Sequence, residues 1–147
     1  MSERKVTVVE SGNGLYGQFI TAGGHVIGAD EPEALGGMNT GPDPFELLLA
    51  GLGACTAMTI RMYANRKKIN LDRITVRLRH LQRATAGKGI NDRFERVIEL
   101  AGNLNSEERQ RLLEIADRCP VSQTLRRSSE IASLLAEPGE ALVSAPG

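Results

Sequence analysis

Gly41-Pro42-Asp43-Pro44-Phe45-Glu46-Leu47-Leu48-Leu49-Ala50-Gly51-Leu52-Gly53-Ala54-Cys55-Thr56 begins as a helix start and ends on a thiol inside an apolar run. Asp43 suits the N-cap, Pro44 the first helical position and Glu46 the return partner of a capping box. The helix is predicted to run to about Lys68, where Arg66, Lys67 and Lys68 suit the negative end of its dipole. From Leu47 to Ile60, 14 residues carry no charge. That is short of the ~20 needed to cross a bilayer, so the segment reads as a buried core helix, apolar nearly all round. Ala50, Gly51, Gly53, Ala54 and Ala57 keep its surface thin. Each interior glycine costs about 1 kcal/mol of helix stability, so two of them point to close packing or ligand access.

Strands precede this helix. Lys5–Glu10 is valine-rich, Ser11-Gly12-Asn13-Gly14 is a turn cluster, and Leu15–Ala22 reads as a second strand. Gly23-Gly24 then makes a hairpin with a third strand, His25–Ala29. Residues 31–43 form a long loop rich in Gly and Pro. After the helix, Ile74, Val76 and Leu78 alternate with Thr75, Arg77 and Arg79 as a half-buried strand, with His80 on its apolar face. A turn over 84–91 leads to a partner strand, Phe94–Leu100, whose Glu95 and Glu99 suit pairing with Arg77 and Arg79. Arg93 and Arg96 have no obvious partner in the sequence. Asn105-Ser106-Glu107-Glu108 starts another helix by capping-box logic. Pro120 starts a short one to Arg126 with Cys119 at its N-cap, and Ile131–Leu135 is predicted as a last strand. The chain therefore reads as one domain over residues 1–136 with a disordered tail over 137–147.

Composition narrows the function classes. The 147 residues carry no net charge, and the basic excess sits between Arg61 and Arg83. Three Phe, two Tyr and no Trp leave few stacking surfaces, which argues against a nucleic-acid partner. The N-terminus has no apolar run after its charges, so the expected setting is cytoplasmic, without a membrane partner. There, a disulfide is more often transient and catalytic than structural.

The chain has two cysteines, Cys55 and Cys119. Cys55 lies in mid-helix among Gly51, Leu52, Met58 and Thr59, where burial raises a thiol pKa unless a cation offsets it. Cys119 stands at a helix start beside Arg118, where unpaired N–H groups favour a thiolate. Local electrostatics thus ranks Cys119 ahead of Cys55. Two readings stay open: a functional dithiol, or two inert core cysteines. A zinc site from Cys55, Cys119, His25 and His80 lacks the paired ligand spacing such sites use. His25 reads as an exposed polar residue and His80 as a satisfied core histidine.

The stretch 41–56, followed by Cys119-Pro120-Val121-Ser122, resembles the two signatures of the OsmC/Ohr superfamily (osmotically inducible protein C and organic hydroperoxide resistance proteins). The resemblance covers about residues 4–136. It implies an α+β fold, with antiparallel sheets wrapped around two central helices in an intertwined homodimer. It also implies an activity, with Cys55 attacking an organic hydroperoxide and Cys119 resolving the sulfenic acid as a disulfide. An external dithiol would then reduce that disulfide, with no cofactor or metal. The alternative function is binding of a small hydrophobic ligand at the dimer interface. The family's peroxidase branch uses an arginine from the N-terminal strand region and a glutamate directly after the helix-opening proline. Here Arg4 is the only arginine before Cys55, and Phe45 takes the glutamate's place, one residue before Glu46. The chain therefore looks like a divergent OsmC-like branch.

Overall fold

The computed structural model describes residues 3–87 and 89–136, so the predicted tail over 137–147 lies outside the described residues. Two compact units are present, one made of the residues up to Pro42 with those from Ser129, the other of Asp43–Ser128.

In the first unit, β1 (Val6–Glu10), β2 (Gln18–Ala22) and β3 (His25–Ala29) form an antiparallel sheet in that order. Gly23 and Gly24 both have positive φ, 56° and 81°, which the tight β2–β3 turn requires. The second strand starts at Gln18 rather than the predicted Leu15. The chain from Ser11 doubles back on itself, with Ser11 N–H donating to the Gly17 carbonyl at 2.9 Å, and this holds Leu15 and Tyr16 out of the ladder.

The loop after β3 is organised by a buried carboxylate. Asp30 accepts from the N–H groups of Glu31, Met38 and Thr40 and from the Thr40 hydroxyl, at 2.7–3.2 Å. Gly37 lets the loop close on itself, since a Cβ there would lie 1.9 Å from the Glu31 carbonyl oxygen. The Thr40 hydroxyl bond, against the opposing effect of burial and with help from the backbone donors, holds the Asp30 carboxyl below its ordinary value. Its stabilising contribution is complete above the usual carboxylate range, about pH 4, and fades as pH falls through the depressed value. Asp30→Asn is expected to melt earlier than wild type at neutral pH, with the gap closing in acid. Thermal melts over a pH series check this.

The predicted strand over 131–135 does not form. Ile131, Leu134 and Leu135 lie outside any strand and are almost fully exposed. A strand needs an edge to pair with, and among the described residues this segment has none.

The second unit holds α1 (Pro44–Arg66), β4 (Leu71–Thr85), β5 (Gly89–Gly102), α2 (Ser106–Ala116) and α3 (Pro120–Arg126). Both predicted capping boxes form. Asp43 accepts from Glu46 N–H at 2.8 Å and Asn105 from Glu108 N–H at 2.8 Å, and each glutamate returns a bond to the cap backbone. The β4–β5 hairpin extends beyond the predicted strands to Thr85 and Gly89, because Gly87 and Gly89 supply the positive φ for a tighter turn. Glu99 pairs with Arg77 at 3.0 Å, and Glu95 pairs with both Arg79 and Arg93.

Among the described residues, α1 is long and apolar enough to cross a membrane by length and composition. In the fold, Leu52, Thr56, Ile60 and Ala64, at four-residue spacing, form the stripe it buries against its own chain. Met58 and Met62 are exposed, so the helix is not buried all round as its composition suggests. Gly53 has a packing reason, since a Cβ there would sit 2.7 Å from Leu78 Cδ1, whereas Gly51 faces open space. The core joins Ile60, Ala64, Leu71, Leu112 and Ala116, with Tyr63, Ile74 and Ile98 against it.

Candidate functional site

Two helix positions bring the thiols together. α1 carries Cys55 on the edge of its buried stripe, and the α2–α3 connection carries Cys119 at the N-cap of α3, as predicted. The two thiols lie near each other. Cys119 is fully buried, whereas Cys55 is half-buried and lines a cavity of about 590 Å³. Met58, Met62 and Ile115 give that cavity an apolar wall, and Arg66 and Arg118 lie on it as well.

The two thiols differ in character. Burial, then the bond with Cys119, pushes Cys55 up, against weaker lowering by Val121 N–H and the Thr59 hydroxyl. Burial also acts on Cys119 but is outweighed there. The bond with Cys55, the Ser122 N–H, the Thr56 hydroxyl and the Val121 N–H together bring it below an ordinary thiol. A single negative charge shared by the pair therefore rests on Cys119. This is the ranking that local sequence electrostatics gives, with backbone N–H groups of the first turn of α3 as part of the cause.

Thr56 and Arg96 stand behind the pair. The Arg96 side chain is 13% exposed, and its guanidinium donates to Thr56 Oγ1 at 3.0 Å, to the Ala116 carbonyl at 3.0 Å and to Asp117 Oδ1 at 3.0 Å. Thr56 is fully buried and its hydroxyl donates to the Leu52 carbonyl at 2.7 Å. The sequence leaves Arg96 without a partner because its partners lie on α1 and at the end of α2. Thr56, directly after Cys55, carries no signal of its own.

The other candidates find structural roles. Glu46 is a helix cap, as the capping reading expects. Phe45 stacks on His80 with centroids 4.4 Å apart, and His80 stacks on Phe94 at 4.8 Å while its Nε2 meets Asp92 Oδ1 at 2.7 Å. His80 is thus the satisfied, packed histidine expected of it. His25 lies exposed on β3. Among the described residues, no group of three or more His, Cys, Asp or Glu side chains is placed to hold a metal ion.

The family model described as OsmC-like protein matches residues 37–133, a span that takes in both thiols and the whole β4–β5 hairpin. The chain belongs to this family. No curated protein matches it. Among solved structures, it is similar to the organic hydroperoxide resistance protein OsmC of Legionella pneumophila, a predicted redox protein. Identity there is 28%, with 86% of this chain and 90% of that one covered, at a TM-score of 0.65. The OsmC-like protein of Mycoplasma pneumoniae shares the fold at 21% identity and a TM-score of 0.72, covering 85% and 88% of the two chains. The organic hydroperoxide resistance protein OhrB of Bacillus subtilis does so at 24% identity and 0.61, covering 85% and 91%. The α+β architecture of two antiparallel sheets and three helices is the OsmC-like one.

Proposed function

We propose that this OsmC-like protein is a thiol-dependent peroxidase that reduces organic hydroperoxides through Cys55 and Cys119, in oxidative or osmotic stress defence. The observation that carries this reading is a half-buried thiol on an apolar cavity wall, with a buried thiol beside it. The name of the Legionella pneumophila relative, an organic hydroperoxide resistance protein, supports it.

The chemistry follows from which sulfur holds the proton. Cys119 is the more acidic of the two, so the first proton to leave the pair is its own and Cys55 keeps its proton. As the hydroperoxide enters, the Cys55 proton passes to Cys119. The Cys55 sulfur attacks the terminal peroxide oxygen, an S–O bond forms and the O–O bond breaks. The departing alkoxide takes the proton back from Cys119 and leaves as an alcohol. The restored Cys119 thiolate then attacks the Cys55 sulfenic acid, and a disulfide forms with loss of hydroxide. Two electrons leave the dithiol, and an external dithiol returns them by exchange through a mixed disulfide. No cofactor enters this scheme.

A second copy of the chain completes the assembly we propose. Met58 and Met62 of α1 are apolar and more than half exposed in the single chain, and so are Val6, Val8 and Val26 of the first sheet. Apolar area of this extent is the usual mark of an interface. A cytoplasmic setting keeps the thiols reduced between turnovers.

Titration of the reduced protein with cumene hydroperoxide tests the proposal. Two thiols per chain should be consumed at one equivalent, with a Cys55–Cys119 disulfide in the peptide map. Survival of both thiols in excess peroxide overturns it. The apolar wall favours one other reading, a carrier of a small hydrophobic ligand whose cysteines only line the pocket. Native mass spectrometry showing a retained ligand, with affinity unchanged in Cys55→Ser, would select that reading.

A further inference from the structure

We propose that the cavity beside Cys55 binds an amphiphile with a carboxylate head, its hydrocarbon chain lying on Met58, Met62 and Ile115 and its charge meeting Arg66 and Arg118. This binding claim stands on the cavity alone and does not depend on the peroxidase reading.

The wall is apolar, and the charges on it have one sign. Arg66 and Arg118 line it, and no acidic side chain does. The acids nearest in sequence are engaged elsewhere. Glu114 pairs with Arg111 at 3.2 Å, and Asp117 pairs with Arg96 at 3.0 Å and with Arg126 at 2.8 Å. Among the described residues, Arg66 and Arg118 have no acid partner of their own. The cavity volume, about 590 Å³, lies in the range of small-molecule sites. An apolar surface bordered by two unpaired guanidiniums suits a ligand with a hydrocarbon body and one anionic end.

Helix α1 sets the spacing. Cys55, Thr59 and Tyr63 follow one another at four-residue intervals, so they share a face that lines the cavity. The Arg66 guanidinium lies over the Tyr63 ring, 5.4 Å from its centroid, which holds it at the level of that ring. Tyr63 stands about 12 Å beyond Cys55 along the helix axis. A chain of that length, such as decanoate, can therefore place its head at Arg66 and its tail beside the thiol. Arg111 also lies 5.4 Å from the Tyr63 centroid, and it donates to the Tyr63 hydroxyl at 3.0 Å. That bond, against burial and with the charges of Arg111, Lys67 and Arg66, holds the Tyr63 phenol below its ordinary value. The field at this end of the cavity is thus positive, and an anionic head offsets the repulsion between the arginines where a neutral head does not.

Calorimetric titration of the full reduced chain with decanoate and with decanol tests the site, because the two share a tail and differ in charge. Decanoate should bind about tenfold tighter, and added salt should narrow that margin. Arg66→Gln and Arg118→Gln should each reduce the margin, and the double variant should remove it. Arg66→Lys, which keeps the charge, should retain most of it. Arg83→Gln on β4, outside the cavity, should leave it unchanged. Decanoate should also slow alkylation by iodoacetamide, a reaction that reads Cys55 because Cys119 is fully buried. Arg66 and Arg118 are both exposed, so their variants should fold. Equal binding of the two ligands overturns the proposal, as does a margin that survives in the double variant. Binding that leaves the alkylation rate unchanged overturns it too, by placing the ligand elsewhere. If decanoate binds as stated and the protein is inert to cumene hydroperoxide, the peroxidase reading fails while this site stands. If the protein consumes cumene hydroperoxide and shows no margin, the site fails and the peroxidase reading stands.

Discussion

Cys55→Ser is expected to abolish hydroperoxide consumption, leaving Cys119 as an unreacted thiol, whereas Cys119→Ser should stop after one oxidation with a sulfenic acid on Cys55. The asymmetry rests on access against ionisation. Cys119 is the better thiolate of the two, by the direction of its shift and by its place at the start of α3. It is also fully buried, and of the two only Cys55 lines the cavity. A nucleophile that cannot be reached does not attack, however well ionised, so exposure decides the order. Serine in place of Cys55 offers an alcohol with no nearby base strong enough to activate it, and the loss should exceed about a thousandfold in turnover. Dimedone capture in Cys119→Ser, with peptide mapping, checks the second half. If dimedone instead labels Cys119 in Cys55→Ser, the roles are reversed. The elevated Cys55 also sets a pH trend, because the fraction of pairs with the charge on Cys55 grows as the second proton leaves. The first oxidation should therefore quicken with pH on the alkaline side of neutral.

Much of the frame is legible in the sequence because it is written in local rules. Asp43-Pro44-Phe45-Glu46 and Asn105-Ser106-Glu107-Glu108 each satisfy their own backbone, so the two capping boxes form with no help from tertiary contacts. Gly23-Gly24 sets its turn in the same way. The place of Cys119 was legible for a similar reason, as Pro120 suits the first position of a new helix and so leaves Cys119 at its N-cap. What could not be read depends on neighbours distant in sequence. Arg96 finds Thr56 forty positions away and Asp117 twenty-one positions away. Asp30, in a loop that composition marks only as Gly- and Pro-rich, gathers Met38 and Thr40 into a turn of its own. The segment over 131–135 has the composition of a strand, but composition cannot supply an edge to pair with.

Leu112→Ala should have the largest effect on stability of any single truncation in the second unit, and it should reach the thiols. Leu112 is fully buried in α2 and packs in one cluster with Ile60 and Ala64 of α1 and Leu71 of β4. Removing its isobutyl group leaves a cavity between two helices and a strand that are each pinned by their own caps and ladder, so the site has little freedom to collapse. Substitutions of this kind cost about 2–5 kcal/mol. For a chain of this length, each kcal/mol lowers the melting midpoint by about 2–4 °C. The consequence for the site follows from where α2 ends. Ala116, in the same cluster, offers its carbonyl to Arg96, and Asp117 follows it directly. A loosened α2 lets that end shift, and the Arg96 guanidinium with it, so its bond to Thr56 should weaken before the helix itself unfolds. Leu112→Ala is therefore expected to raise the lower thiol midpoint, read by ultraviolet thiolate absorbance against pH, at temperatures well below its own melting transition, because the end of α2 leads directly to the Cys119 cap. Leu113→Ala, one residue away on the exposed side of α2, should change neither. A Leu112→Ala protein with a wild-type thiol titration would mean that the end of α2 is held independently of its core contact.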